Sequence, residues 1–210
     1  MALENTHIKV LPITEASLRK VVYIHCDAFK GYMNSRIGKG YVSAFFRWFS
    51  LQEDAIGLMA VAENSEPCGY VVGAPLGYDR RMNKDLFGVA ARGMMVRPWL
   101  VFDKKIRHTV AIRMKLLFGG TVPKQQAPDL PEPIISLVGI GTAEKNRGQG
   151  AGKALMEAFE DEAKKRNIAA MRLSVYTHNT AARRLYEKFG WQPFVEPTTK
   201  DTAMYYYKIL

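Results

Sequence analysis

The sequence predicts an α/β protein, a mixed sheet flanked by helices. Three observations carry that prediction. Apolar residues recur with a period of two in some runs and near 3.6 in others. Glycine and proline clusters separate those runs. The order is strand, helix, helix, strand, strand, a helical insertion, then strand, helix, strand, helix, strand, strand, which interleaves the element types as a layered α/β domain does. A chain of 210 residues suits one such domain over 1–210, with the insertion at about 77–130. At 48% hydrophobic and 24% charged residues, a fully disordered chain is excluded.

The first run, His7 to Leu11, is β-prone and ends at Pro12, after which Thr14 offers a hydroxyl at a helix start. Leu18, Val21, Val22, Cys26 and Phe29 recur at helical spacing and predict a helix over 15–30, broken by Gly31. A second, aromatic-rich helix is predicted over Lys39 to Leu51. Leu58 to Glu63 and Gly69 to Ala74 are β-compatible, and the turn-forming residues 64–67 between them predict a hairpin. Two helical patterns follow, Leu86 to Met95 and Asp103 to Phe118, closed by Gly119-Gly120, and the proline-rich stretch Val122 to Pro133 reads as a loop. Ile134 to Ile140 is a strand, 148–166 a helix with the stripe Leu155, Ala158, Phe159 and Ala163, and Ala170 to Tyr176 a strand alternating apolar with polar. Asn179 to Lys188 is helical and stopped by Gly190, with strands at Trp191 to Phe194 and Ala203 to Leu210.

No apolar run approaches the roughly 18 residues of a membrane span, and no basic flank with an apolar stretch opens the chain. Cys26 and Cys68 have no CxxC partner, so neither a disulfide framework nor a metal site is expected, and a reducing, cytoplasmic setting fits. The net charge is +10, and residues 77–126 hold eleven basic residues against three acids, a local excess of +8. Such a field concentrates anions, or it is a solvated basic surface.

The junction after Ile134 to Ile140 is the most informative stretch. Gly148, Gly150 and Gly152 alternate at the start of a helix. A helix start leaves several backbone N–H groups unpaired, the helix dipole adds positive potential there, and glycine removes the Cβ that would keep a bulky anion away. Together these make a pyrophosphate cradle with Arg147 at its edge, or a closely packed helix cap. No Gly-Lys-Ser/Thr ends the loop, so it is not a Walker loop, and the dinucleotide fingerprint spacing is absent.

Some thirty residues on stands Asn179-Thr180-Ala181-Ala182-Arg183-Arg184-Leu185-Tyr186, followed by Gly190-Trp191. The pair of patterns, Arg-Gly-x-Gly-x-Gly opening a helix and then Asn-x-x-Ala-x-x-Leu-Tyr-x-x-x-Gly-Trp, resembles the GNAT superfamily of acyl-CoA-dependent N-acyltransferases over about residues 134–194. The resemblance implies the acyl-CoA N-acyltransferase fold, a mixed, mostly antiparallel sheet, and acetyl-CoA as co-substrate. It implies that Arg147, Gly148, Gln149, Gly150, Ala151 and Gly152 bind the CoA pyrophosphate through main-chain amides. Ile140, Gly141 and Thr142 would pair with the pantetheine arm in a V-shaped cleft between splayed strands. Asn179 would hydrogen-bond that arm, and Tyr186 would protonate the departing thiolate as a primary amine attacks the thioester directly. Asn179 and Tyr186 are two helical turns apart and share a face. A phenol of pKa about 10 is a competent acid toward a thiolate when water is excluded. Taken alone, Tyr186 also reads as a packed aromatic and Asn179 as a helix N-cap.

An alkylammonium acceptor must lose a proton, and the strand before the cradle carries no carboxylate, where many relatives carry a glutamate. Glu132, between Pro131 and Pro133, and His178, at the mouth of the next strand, are the candidate bases; they also read as a loop residue and a solvated terminus. An arylamine or a low-pKa aminosugar needs less help. The basic insertion argues against a lysine-rich peptide and for an anionic small-molecule acceptor such as a nucleotide-linked aminosugar. The alternative is a protein that binds RNA, the ribosome or a membrane surface through residues 80–115, with the acyl-CoA fold as scaffold or sensor. Apolar faces over 86–118 also suit a homodimer contact.

Overall fold

The computed structural model describes residues 8–63, 65–104, 106–108, 110–111, 128–195 and 203–210. The strands are β1 (Lys9–Pro12), β2 (Ile56–Val61), β3 (Pro67–Pro75), β4 (Ile134–Thr142), β5 (Ala170–Tyr176), β6 (Gln192–Val195) and β7 (Ala203–Ile209). The helices are α1 (Leu18–Ala28), α2 (Met33–Ile37), α3 (Lys39–Leu51), α4 (Tyr78–Met95), α5 (Ala151–Lys165) and α6 (Thr180–Lys188). The sequence reading missed the short helix α2 and began α4 eight residues late; the polar first turns of α4 hide its start. The parts of the predicted 103–118 helix and 122–133 loop that fall within 112–127 lie outside the described residues, as do His7 and Asn64.

The strands form one seven-stranded sheet in the order β1-β2-β3-β4-β5-β7-β6. Every neighbouring pair is antiparallel except β4 and β5, which run parallel. That single parallel pair requires a crossover, and α5 lies within it. The fold is thus the predicted mixed, mostly antiparallel sheet with helices on both faces.

β3 is covered on both faces, which is why it reads as a near-continuous apolar run rather than an alternating one. Tyr70, Val72 and Ala74 join the core under α1, α3 and α4 with Val21, Phe46 and Phe49. Val71 joins the opposite core with Leu155, Phe159 and Met171. Leu155 and Phe159 of α5 are fully buried, and each side chain of that size contributes roughly 1.5–3 kcal/mol by leaving water. Gly73 makes room for that helix: a Cβ there would stand 2.5 Å from Phe159 Cζ and 2.8 Å from the Ser136 carbonyl oxygen.

One irregularity positions the site. The β3–β4 register jumps from Val72↔Gly139 to Gly73↔Leu137, so Val138 is an extra residue on β4. A bulge of this kind bends its strand and raises the local twist. β4 and β5 pair only from Ile134↔Ala170 to Leu137↔Leu173, although they continue to Thr142 and Tyr176. Pairing therefore stops at the bulge, and the two strands diverge beyond it.

Candidate active site

The Gly-rich junction forms one wall of a groove of about 610 Å³. Gly148 (φ +78°) and Gly150 (φ +88°) are left-handed, a conformation that costs other residues about 1–2 kcal/mol. A Cβ on either would meet nothing within 4 Å, so the backbone faces open space there. The first α5 hydrogen bond runs from the Ala154 N–H to the Gly150 carbonyl at 3.0 Å, leaving the amides just before it without a helical acceptor. Arg147, Gly148, Gly150, Ala151, Gly152 and Lys153 all line the groove, as do Ile140, Gly141 and Thr142 of β4. The Gln149 side chain instead accepts from Asn146 Nδ2 at 3.2 Å and donates to the Lys145 carbonyl, so it braces the loop. Only its backbone is left for a ligand.

The loop is also tied to α1. The Glu144 N–H donates to Asp27 Oδ2 at 3.1 Å, and Lys30 pairs with both Asp27 and Glu144. The Glu144 amide, helped by Lys30, holds the Asp27 carboxyl below its ordinary pKa. These residues are 117 apart in sequence, and nothing in either segment announced the contact.

Where β4 and β5 part, a cleft of about 430 Å³ runs from the groove toward the core. Val138, Gly139 and Ile140 form one wall and Ser174, Val175 and Tyr176 the other. Asn179 lines both groove and cleft. Its Oδ1 accepts from the Ala182 N–H at 3.2 Å, which caps α6 and leaves the amide nitrogen free of that duty. Two turns on, Tyr186 lines the cleft at 5% exposure, beside the rings of Trp191 and Tyr206. Burial, with Tyr206 nearby, pushes the Tyr186 phenol above its ordinary pKa, so it carries its proton at neutral pH.

The two candidate bases separate. His178 stands exposed at the mouth, stacked on Tyr176 at 5.4 Å between centroids. Glu132 is exposed at the opposite end of β4 and lines neither groove nor cleft. Glu132 precedes β4, and from Ile134 at the start of that strand to Gly139 is five steps, about 17 Å at the rise of an extended strand. Strand direction, invisible in a local reading, carries Glu132 away from the site.

The cleft floor holds a pair that the sequence reading left out. His25 Nδ1 lies 2.7 Å from the Tyr70 hydroxyl, and both residues line the cleft. Burial lowers the His25 pKa to about 4. The signal was present: His25 falls between Val21 and Phe29 on the apolar stripe of α1, where a titratable side chain is out of place.

A third pocket, about 640 Å³, adjoins the mouth and shares Tyr32, Tyr176 and His178 with the cleft and groove. Lys30, Arg36, Lys104 and His108 line it. Among the described residues of the basic block at 77–126, only Lys104 supplies a Lys or Arg to this lining. Arg81 pairs with Asp54 at 2.7 Å and lies over Trp48, and Arg97 donates to the Ile37 carbonyl at 2.9 Å. Lys105, Arg113, Lys115 and Lys124 lie outside the described residues.

Residues 117–191 match the model of the Acetyltransferase (GNAT) family. Over that stretch the chain is similar to the GNAT family. A curated relative, the uncharacterized N-acetyltransferase YycN of Bacillus subtilis (strain 168), is 34% identical over 65 residues. That stretch is 31% of this chain and 42% of the relative, so under half of the relative is matched. The ribosomal-protein-S18-alanine N-acetyltransferase of Escherichia coli superposes with a TM-score of 0.57 at 16% identity, covering 97% of this chain and 94% of that one. A structure from Corynebacterium glutamicum described as histone acetyltransferase HPA2 and related acetyltransferase gives 0.57 at 20%, covering 96% and 95%. At these identities the likeness is one of GNAT fold.

Proposed function

We propose that this protein is an N-acetyltransferase that moves an acetyl group from acetyl-CoA to a primary amine by direct attack in a ternary complex. The observation that carries the reading is the continuity of the glycine cradle at 148–152 with the gap between β4 and β5. A diphosphate held at the cradle would leave a thiol arm running past Ile140, Gly141 and Thr142 toward Tyr186. Acetyl-CoA would supply an activated acyl group as a thioester. The open backbone at Gly148 and Gly150 fits the diphosphate, with Arg147 and Lys153 countering its charge. Asn179 would orient the arm through its amide nitrogen. Tyr186 holds a proton in a water-poor site and would deliver it to the departing sulfur.

The acceptor we favour is an anionic small molecule, of which a nucleotide-linked aminosugar is one example. Support comes from the basic pocket that opens beside the cleft mouth. His178, between groove and pocket, would sit near the incoming amine. A thiol-release screen of acetyl-CoA against amine classes tests the reading, together with calorimetry of CoA binding. Turnover of phosphorylated or nucleotide-linked amines that falls with added salt is the expected result. Absence of CoA binding would overturn the whole reading. Salt-insensitive turnover of polyamines or lysine peptides would overturn the acceptor class alone.

A second reading, binding of RNA or an anionic membrane through the basic segment, draws on the exposed Met95, Trp99 and Phe102 beside Arg92, Arg97 and Lys104. Sedimentation with anionic vesicles or RNA, run beside thiol release, separates the two. Among the described residues no helix is long and apolar enough to cross a membrane.

A further inference from the structure

Two polar side chains, His25 and Tyr70, line the cleft but not the groove beside the glycine cradle. His25 is 7% exposed, and its Nε2 is buried without a hydrogen-bond partner among the described residues. An unpaired buried polar atom costs roughly 1–3 kcal/mol, a cost that an apolar residue at the same place would avoid. The rings facing the imidazole are Phe29 just past α1, Phe45 and Phe46 of α3, and Tyr70 of β3. No carboxylate or cation is among them, and burial alone lowers the His25 pKa to about 4. Burial, then the nearness of Tyr186 and Cys26, raises the Tyr70 phenol well above its ordinary value. Both groups are therefore neutral at physiological pH, with a short hydrogen bond between them.

The pair also faces the reaction path. Tyr70 lies against β4 beyond the bulge: a Cβ on Gly139 would stand 4.0 Å from the Tyr70 hydroxyl oxygen, and one on Gly141 would stand 3.0 Å from its ring. The lack of a side chain at Gly141 makes room for the ring against the strand along which the thiol arm would run, and the hydroxyl lies at ordinary contact distance from Gly139.

We infer that Tyr70 and His25 form the amine-side proton relay of the transfer reaction, Tyr70 touching the amine and His25 positioning Tyr70 and receiving its proton. The inference rests on the acyltransferase reading. An alkylammonium first gives its ammonium proton to water, and the neutral amine nitrogen then bonds to the acyl carbon as the carbon–sulfur bond breaks. One N–H proton passes to Tyr70 Oη while the Tyr70 proton passes to His25 Nδ1, and Tyr186 protonates the sulfur. The imidazolium then returns its proton to water and Tyr186 regains one, so the net change is one proton from nitrogen to sulfur. A weak base suffices because the nitrogen becomes strongly acidic as it bonds to the carbonyl carbon.

The test uses the full-length protein with His25→Gln and Tyr70→Phe. In the free protein, nitrogen-15 NMR of the histidine rings should show His25 as the Nε2–H tautomer with Nδ1 unprotonated, and Tyr70→Phe should shift the Nδ1 signal. A proton on Nδ1 of His25 would overturn the relay. In turnover assays, each variant should lose about 100-fold or more in kcat with an alkylamine that the wild type acetylates, and far less with an aromatic amine. CoA affinity should stay within about twofold. Equal losses on both amines, as a packing defect gives, or no loss on either, would overturn the relay alone. A wild-type protein that releases no thiol from acetyl-CoA with any amine of the screen overturns the acyltransferase reading and the relay with it.

Discussion

The burial of His25 makes the stability of the protein depend on pH in a calculable way. Its pKa falls from 6.5 to about 4 on folding, with burial as the cause. Between those values the unfolded chain binds a proton that the folded chain refuses, so stability falls as pH drops. The contribution is intact above about pH 7, and well below pH 4 both states are protonated and no more is lost. Between pH 7 and pH 5 the two pKa values give a loss of about 2 kcal/mol, and about 3 kcal/mol by pH 4. At 7% exposure solvent screening takes little from this. The perturbation is His25→Gln, which keeps hydrogen-bonding capacity beside Tyr70 but does not titrate. Urea unfolding at pH 7.0, 6.0, 5.0 and 4.5, for wild type and variant, isolates the term, because the other titrating groups cancel in the difference. The wild-type stability should fall by about 2 kcal/mol more than that of His25→Gln between pH 7 and pH 5. Parallel curves would refute the reasoning, whatever constant offset the substitution introduces.

Other outcomes follow from the same geometry. Gly150→Glu places a carboxylate at a left-handed position in the cradle and should weaken CoA binding about 100-fold or more by calorimetry. Unchanged binding would move the diphosphate elsewhere. Tyr186→Phe removes the proton but keeps the ring against Trp191 and Tyr206; kcat should fall about 100-fold or more with CoA affinity held, and full turnover would remove Tyr186 from the acid role. Gly73→Ala drives a methyl into Phe159 and the Ser136 carbonyl and should cost about 1–3 kcal/mol in urea unfolding; a neutral result would show that α5 shifts freely.

Features legible in the sequence are those whose physics is local. Alternating glycines at a helix start need no distant partner to expose their amides. Asn179 and Tyr186 share a face because helical geometry fixes it, and the Asn179 cap is a contact over three residues. Lys39–Leu51 and Ala170–Tyr176 were legible for the same reason, since their apolar patterns have clear periods and clear ends. Glu132 shows where this logic fails. It was close in sequence to the right strand and at the wrong end of it.

The sequence by itself determined the order of the strands and longer helices, the glycine-rich helix start and the shared face of Asn179 and Tyr186, since each follows from backbone chemistry within a few residues. Only the tertiary structure decided that β4 leaves β5 at Val138, because that depends on its register with β3. Only it brought His25 to Tyr70, 45 residues apart, and set both beside Tyr186. It also redistributed the charge: Arg81 and Arg97 are held by Asp54 and the Ile37 carbonyl, while Lys30, paired with Asp27 and Glu144, and Arg36, paired with Asp103, reach the pocket at the mouth from outside the basic block. A net charge can be counted along a chain, but which charges are neutralised depends on contacts that form only when distant segments pack.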